Sequence, residues 1–424
     1  MQIRTTGLLA VLLAVIPLAF ASPLQPLVTA DGSPWPTKGG EGGQVITVTS
    51  LDETGPGTLR EALDTKGPRI IRFAVAGEIW INDILRVQKP FVTIDGDSAP
   101  SPGITIIGDS FRITGPAHDV IVRGIRVRTG ARSVGSDPSN RDSLQIMNGA
   151  CNVLVENCSF AWAIDETVQL YGKTVHDIAV RRCIIAEALN GSLHAKGGHS
   201  AGLLVGPGIK NVLIEQNLFA HNAFRNPVVS GGAEAVVLDN LIYNPGFNAF
   251  HIYGHKGYGT TNVDVIGNRV IAGADTRPAV GIFHNKTGLI PGSRVYLKDN
   301  AATGTKTWDT TSRPPNYGED DALPFVDKPC IQLPVTLSAM PVAEVEATVL
   351  ANVGARVDDR DATDARILAD VKNRTGKIRN VPDDKRLLPD PAIKNPQWTN
   401  RSSDAPPVTE YARPPAKKTP PASN

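Results

Sequence analysis

Between residues 91 and 300 the chain alternates apolar and polar positions in short bursts. Seven-residue windows recur as FVTIDGD (91–97), DVIVRGI (119–125), NVLVENC (152–158), DIAVRRC (177–183), NVLIEQN (211–217), EAVVLDN (234–240), NVDVIGN (262–268) and RVYLKDN (294–300). Period two is the signature of a strand with one buried face. The windows close on Asp97, Ile125, Cys158, Cys183, Asn217, Asn240, Asn268 and Asn300, with steps from 23 residues (Asn217 to Asn240) to 34 (Cys183 to Asn217). These steps are long for the hairpins of a β-sandwich. A leucine-rich repeat would need a regular leucine pattern, which is absent.

Steps of this size predict a parallel β-helix, in which each turn buries its inner face only against its neighbours. Longer steps become loops on the flanks. Asparagines at the closing position would stack at a corner, their amides bonding up and down the column. Cys158 and Cys183 share that position on successive turns. Stacked strands lie about 4.8 Å apart, so either a disulfide or two buried thiols fits.

The flanks read differently. Residues 1–21 combine a charged start, an apolar run and Ala19-Phe20-Ala21, a secretory signal peptide pattern that predicts an exported protein. Residues 22–40 form a Pro-rich lead-in, 41–310 the β-helix, 311–390 a C-terminal extension packed on it, and 391–424 a Pro-rich tail expected to be disordered. GTLREALD (57–64) predicts a short helix capped by Thr58 with Glu61 three residues on, placed to plug the end of the β-helix. DATDARILADVKNRTG (361–376) predicts a helix ended by Gly376.

Charge is balanced, with 43 basic and 42 acidic residues, so bulk attraction to nucleic acid is not expected. No second segment suits a membrane span, and a monomer is expected. The four cysteines, Cys151, Cys158, Cys183 and Cys330, include no zinc spacing.

Three patches in the repeat region carry candidate chemistry. In the first, Asp142 and the Asp165-Glu166 pair each precede a strand, about one turn apart. Stacked carboxylates repel unless a cation lies between them, and calcium suits an irregular oxygen site. Simple turn capping explains the same residues. In the second, His194, Lys196 and His199 share a glycine-rich loop. In the third, His221, Asn222 and Arg225 fall one turn later, in HNAFRNPVVSGG. Loops stacked on one flank would bring the patches into one groove, with carboxylates for a metal and cations for an acidic polysaccharide.

GPRIIRFAVAGEI (67–79), DSLQI (142–146), NCSFAWAIDE (157–166), LHAKGGHSAGLLVG (193–206) and LFAHNAFRNPVVSGG (218–232) occur in order and resemble the pectate lyases of polysaccharide lyase family 1, here the bacterial secreted branch. Residues 353–378 also look like the C-terminal part of those proteins. The resemblance implies a right-handed parallel β-helix that cleaves polygalacturonate by calcium-assisted β-elimination. It implies Arg225, in Arg225-Asn226-Pro227, as catalytic base. It implies Asp142 and Asp165 as calcium ligands, with Glu166 beside them. A neutral oxygen from Asn140 stands where the family often has a second aspartate. Lys196, His199, His221, Asn222 and Ser230 are then the expected substrate contacts. Ser230 stands where the family often has a second arginine, and Ala201 where it often has a lysine. An arginine base, scarcely neutral at ordinary pH, implies an alkaline optimum.

Two other functions stay open on sequence grounds: a non-catalytic or altered-specificity polysaccharide-binding β-helix and, less well supported, a glycoside hydrolase. A hydrolase needs paired carboxylic acids. The repeats between residues 170 and 260 hold only Asp177, Glu187, Glu215, Glu234 and Asp239.

Overall fold

The computed structural model describes residues 26–246, 248–255, 257–277, 290–303 and 325–390, and the backbone alone of 282–285 and 316–317. The expected signal peptide (1–21) and tail (391–424) lie outside the described residues.

The chain coils through three parallel sheets, with eleven strands in the first and nine in each of the others among the described residues. One turn shows the pattern. Cys151–Glu156 lies in the first sheet, Ser159–Ala161 in the second and Glu166–Tyr171 in the third, and His176–Arg181 returns to the first. This is a parallel β-helix. The eight alternating windows supply eight consecutive strands of the first sheet. Their inward positions fall in register, Val153 beside Ile178, then Val212, Ala235, Val263 and Val295. All six belong to the buried apolar column that fills the coil.

The corner between the first and second sheets carries the asparagine ladder. Asn217 Nδ2 donates to Asn240 Oδ1 (3.0 Å), Asn240 Nδ2 to Asn268 Oδ1 (2.9 Å) and Asn268 Nδ2 to Asn300 Oδ1 (3.0 Å). The same amides donate to the Val180, Ile214 and Val237 carbonyls. Cys158 and Cys183 continue this column as free buried thiols, which resolves the open choice between disulfide and thiols.

The outer faces of two sheets are covered. The lead-in and residues 331–337 lay Leu27, Trp35, Leu333 and Val335 over the first sheet. Helices α2 (Val342–Asn352) and α3 (Ala362–Asn373), which follow α1 (Leu59–Asp64), bury Val345, Val349, Ile367 and Val371 against Ile184, Leu218 and Leu241 of the second. The capping of α1 is as expected: Thr58 accepts from the Glu61 N–H, and Glu61 Oε2 accepts from the Gly57 N–H. It packs on the first strands and buries Leu59 and Leu63. The expected end of α3 is corrected. Arg374, in the left-handed region (φ 58°), closes it, and Gly376 lies two residues beyond. α2 was not legible as a helix. No described helix is long and apolar enough to cross a membrane.

Candidate functional site

The third sheet keeps a polar outer row. Arg86, Arg112, Gln145 and Gln169 stand side by side on four adjacent strands. The connections from the second sheet into this one carry the three candidate patches, so the stacking expected from sequence brings their main members together.

Asp142, Asp165 and Glu166 place carboxylate oxygens within 4.8 Å of one another. Asp142 is fully buried. It accepts from the Glu166 N–H (2.6 Å) and from Gln145 Nε2 (2.5 Å). Burial, then the charge of Asp165, pushes the Asp142 carboxyl well above the usual range. Glu166 accepts from Gln169 Nε2 (3.2 Å) and pairs with Arg225. The two glutamines repeat one device on successive turns. Each lies three residues after a cluster carboxylate, and its amide reaches back to that carboxylate.

Burial would raise Asp165, but His194 and His199 pull it well below the usual carboxylate range. Their Nε2 atoms lie 3.4 Å and 2.8 Å from Asp165 Oδ1. The rings stack at 4.2 Å, nearly parallel, and Phe224 meets His199 edge-on. His194 Nδ1 accepts the Lys196 N–H (3.0 Å). Nε2 of His194 therefore carries the proton, and the ring is a donor to Asp165.

That tautomer decides which metal the site fits. Asp165, His194 and His199 also gather closely enough for a transition metal. A ligand nitrogen must offer a lone pair, and His194 presents a proton instead. Asp142, Asp165 and Glu166 are hard oxygen donors, and the raised Asp142 marks charge that a cation would relieve. This set fits calcium.

Arg225 is held at the mouth of the site. Its carbonyl accepts the Leu203 N–H (2.7 Å), and its guanidinium lies 5.0 Å from the Phe224 ring. Gly202 permits this approach, since a Cβ there would lie 2.5 Å from the Arg225 carbonyl. Lys196 is exposed, with no ion pair among the described residues.

Other expected site residues sit elsewhere. Asn140 is exposed, its amide donates to Asp137, and its backbone carbonyl accepts from the Gln145 amide that also bonds Asp142. Asn222 builds the wall, donating to the Ile185 carbonyl and Asn226 and accepting the Ala188 N–H. Ser230 is buried, and its hydroxyl donates to the Val205 carbonyl. His221 is buried under the C-terminal extension, with Nδ1 3.0 Å from Asn244 Nδ2 and Nε2 4.0 Å from Asp370. The side chains of Asn222, Ser230 and His221 are buried in the wall, whereas that of Asn140 is exposed. Gln145, Gln169 and Arg112 escaped the sequence reading. The recurring Asp-x-x-Gln and Glu-x-x-Gln spacing at 142–145 and 166–169 was the available signal.

Comparisons with known proteins bear on the fold and the family. No family model matches the chain. It is 34% identical over 330 residues to a probable pectate lyase C of Aspergillus flavus, covering 73% of this chain and 74% of that protein. It is also 34% identical over 368 residues to a probable pectate lyase C of Emericella nidulans, covering 85% and 79%. Among solved structures, the thermostable pectate lyase PL 47 superposes with a TM-score of 0.57 at 14% identity, over 78% of this chain and 97% of that one. A pectate lyase bound to hexasaccharide gives 0.55 at 14%, over 76% and 94%. At such identity these structures speak for the fold alone. Fold and relatives together define a polysaccharide lyase built on a parallel β-helix. The chain belongs to the pectate lyase family. The relatives are fungal, so the bacterial branch expected from sequence is not supported.

Proposed function

We propose that this protein is a secreted, monomeric pectate lyase that cleaves polygalacturonate by calcium-assisted β-elimination. The observation that carries the reading is the Asp142, Asp165 and Glu166 oxygen cluster with Arg225 bound at its edge. Asp142, Asp165 and Glu166 would hold the calcium. When bound, it would supply Lewis acidity that neutralises the uronate carboxylate and acidifies the neighbouring C5 proton.

The chain's own residues do the rest. Lys196 pairs with a substrate carboxylate. Arg225 leaves Glu166, gives up a guanidinium proton to solvent, and as the neutral guanidine takes the C5 proton. The C5–H electron pair becomes the C4=C5 double bond, the C4–O4 bond breaks, and the departing oxygen is protonated by water. His194 and His199 hold Asp165 ionised and oriented. Gln145 and Gln169 orient Asp142 and Glu166 through their amide N–H groups.

The test is turnover of polygalacturonate followed by the ultraviolet absorbance of the unsaturated product, with calcium or a chelator present. Calcium-dependent absorbance supports the reading. Reducing ends without absorbance would mean hydrolysis. Binding without turnover would mean a non-catalytic polysaccharide-binding protein.

A further inference from the structure

Arg112 stands on the outer row of the third sheet, one strand before Gln145. Its Nε donates to Gln145 Oε1 (2.5 Å), and Gln145 in turn donates to Asp142. The guanidinium is thus fixed at one end against the acidic cluster. Its two Nη groups make no hydrogen bond among the described residues and remain accessible, and no carboxylate forms an ion pair with it there. The neighbouring cations differ. Arg86 is paired with Asp83 (3.0 Å), and Arg225 with Glu166.

A guanidinium anchored through Nε presents its remaining donors as a preoriented fork. That geometry matches a carboxylate in two parallel bonds. A polyuronide carries one carboxylate per sugar ring. Along the open sheet, rows about 4.8 Å apart place Arg112, the carboxylate cluster and Arg225 in that order.

We propose that Arg112 forms an additional subsite that binds a carboxylate of an acidic oligosaccharide, one turn to the N-terminal side of the acidic cluster. This rests on the lyase reading for the identity of the polymer. The subsite makes the protein discriminate by chain length: a uronide that spans the cluster and Arg112 gains a bond that a shorter one lacks.

The experiment compares wild type with Arg112→Ala, Arg112→Gln and Arg112→Lys on tri- and hexagalacturonate, measuring KM and kcat separately, with calcium affinity by calorimetry and thermal melting as controls. Arg112→Gln keeps a donor for Gln145 while removing the charge. A charge-assisted bond of the usual strength predicts a KM for hexagalacturonate raised roughly tenfold or more in the Ala and Gln variants, a smaller rise in Lys, and little change for the trimer or in kcat. An unchanged hexamer KM overturns the proposal. So does an equal loss for both lengths accompanied by weakened calcium binding, because Arg112 would then act only through Gln145 on Asp142. If wild type turns over no uronide, the lyase reading fails by itself. Equilibrium binding of hexagalacturonate then decides for Arg112: weaker binding by Arg112→Gln supports the subsite, and equal binding removes it.

Discussion

Arg225 and Glu166 form an ion pair across two turns of the β-helix: Glu166 opens the strand that pairs with Ala201–Val205, and Arg225 precedes the strand after that one. The same carboxylate belongs to the acidic cluster. Glu166 thus connects the arginine that, once neutral, is expected to take the proton with the oxygens expected to hold the metal. Arg225→Lys keeps a cation for Glu166 but changes the reacting group. Turnover of polygalacturonate should fall by roughly 10²–10⁴-fold, while calorimetric calcium affinity stays close to wild type. Retained turnover would remove Arg225 as base.

Gln145 touches no substrate in this reading, yet it orients Asp142. Partners that orient metal ligands typically govern affinity by about 10–100-fold. Gln145→Leu should weaken calcium binding by that order, read by calorimetry on the folded protein. Unchanged affinity would show that burial alone holds Asp142 in place.

Glu187 is buried beneath the C-terminal extension, paired with Arg366 (2.7 and 2.8 Å) and within 3.2 Å of Arg379. Burial would raise its carboxyl, but the Arg366 bonds and nearby cations bring it down to about 2 from 4.5. A depressed carboxyl stabilises the fold above its unfolded value. That stability, roughly 3 kcal/mol, is lost as pH falls from 4.5 toward 2. Arg366→Met should lower the melting temperature sharply at neutral pH, because it strips a bonded partner from a buried charge. The deficit should shrink in acid.

Asp239 has the opposite sign. Burial, with Glu215 adding, pushes its carboxyl up to about 7 from 3.8, against the Met340 N–H that it accepts. The folded state holds the proton more tightly, so stability declines as pH rises from 3.8 through 7. Asp239→Asn should raise the melting temperature above pH 7 and change it little near pH 4. A pH-independent effect would refute this account.

Asn240 sits mid-ladder, donating to Asn268 Oδ1 and the Ile214 carbonyl and accepting the Asn217 N–H. Asn240→Ala leaves several buried groups unpaired at about 1–3 kcal/mol each. Denaturant unfolding should register a loss of at least about 2 kcal/mol. A smaller loss would mean that water or neighbouring amides repair the gap.

The sequence by itself determined the β-helix. Period-two windows closing on a shared position report strand direction, buried face and stacking together, since one-dimensional stacking repeats the same local demands on every turn. The asparagine column and the Thr58 cap were legible for the same reason: each is a local bond between residues at fixed spacing. The approach of Asp142, Asp165, Glu166 and Arg225 followed from the turn length. What only the tertiary structure decided was how each polar side chain is spent. Asn222 resembles a groove residue in sequence, but its amide bonds back into the wall at Ile185 and Ala188. His221 is roofed by a segment some 150 residues later, near Asp370 (4.0 Å). The proton on His194 is set by the Lys196 backbone, and the fork of Arg112 by Gln145. These outcomes depend on orientation and on contacts distant in sequence, which residue type and spacing do not encode.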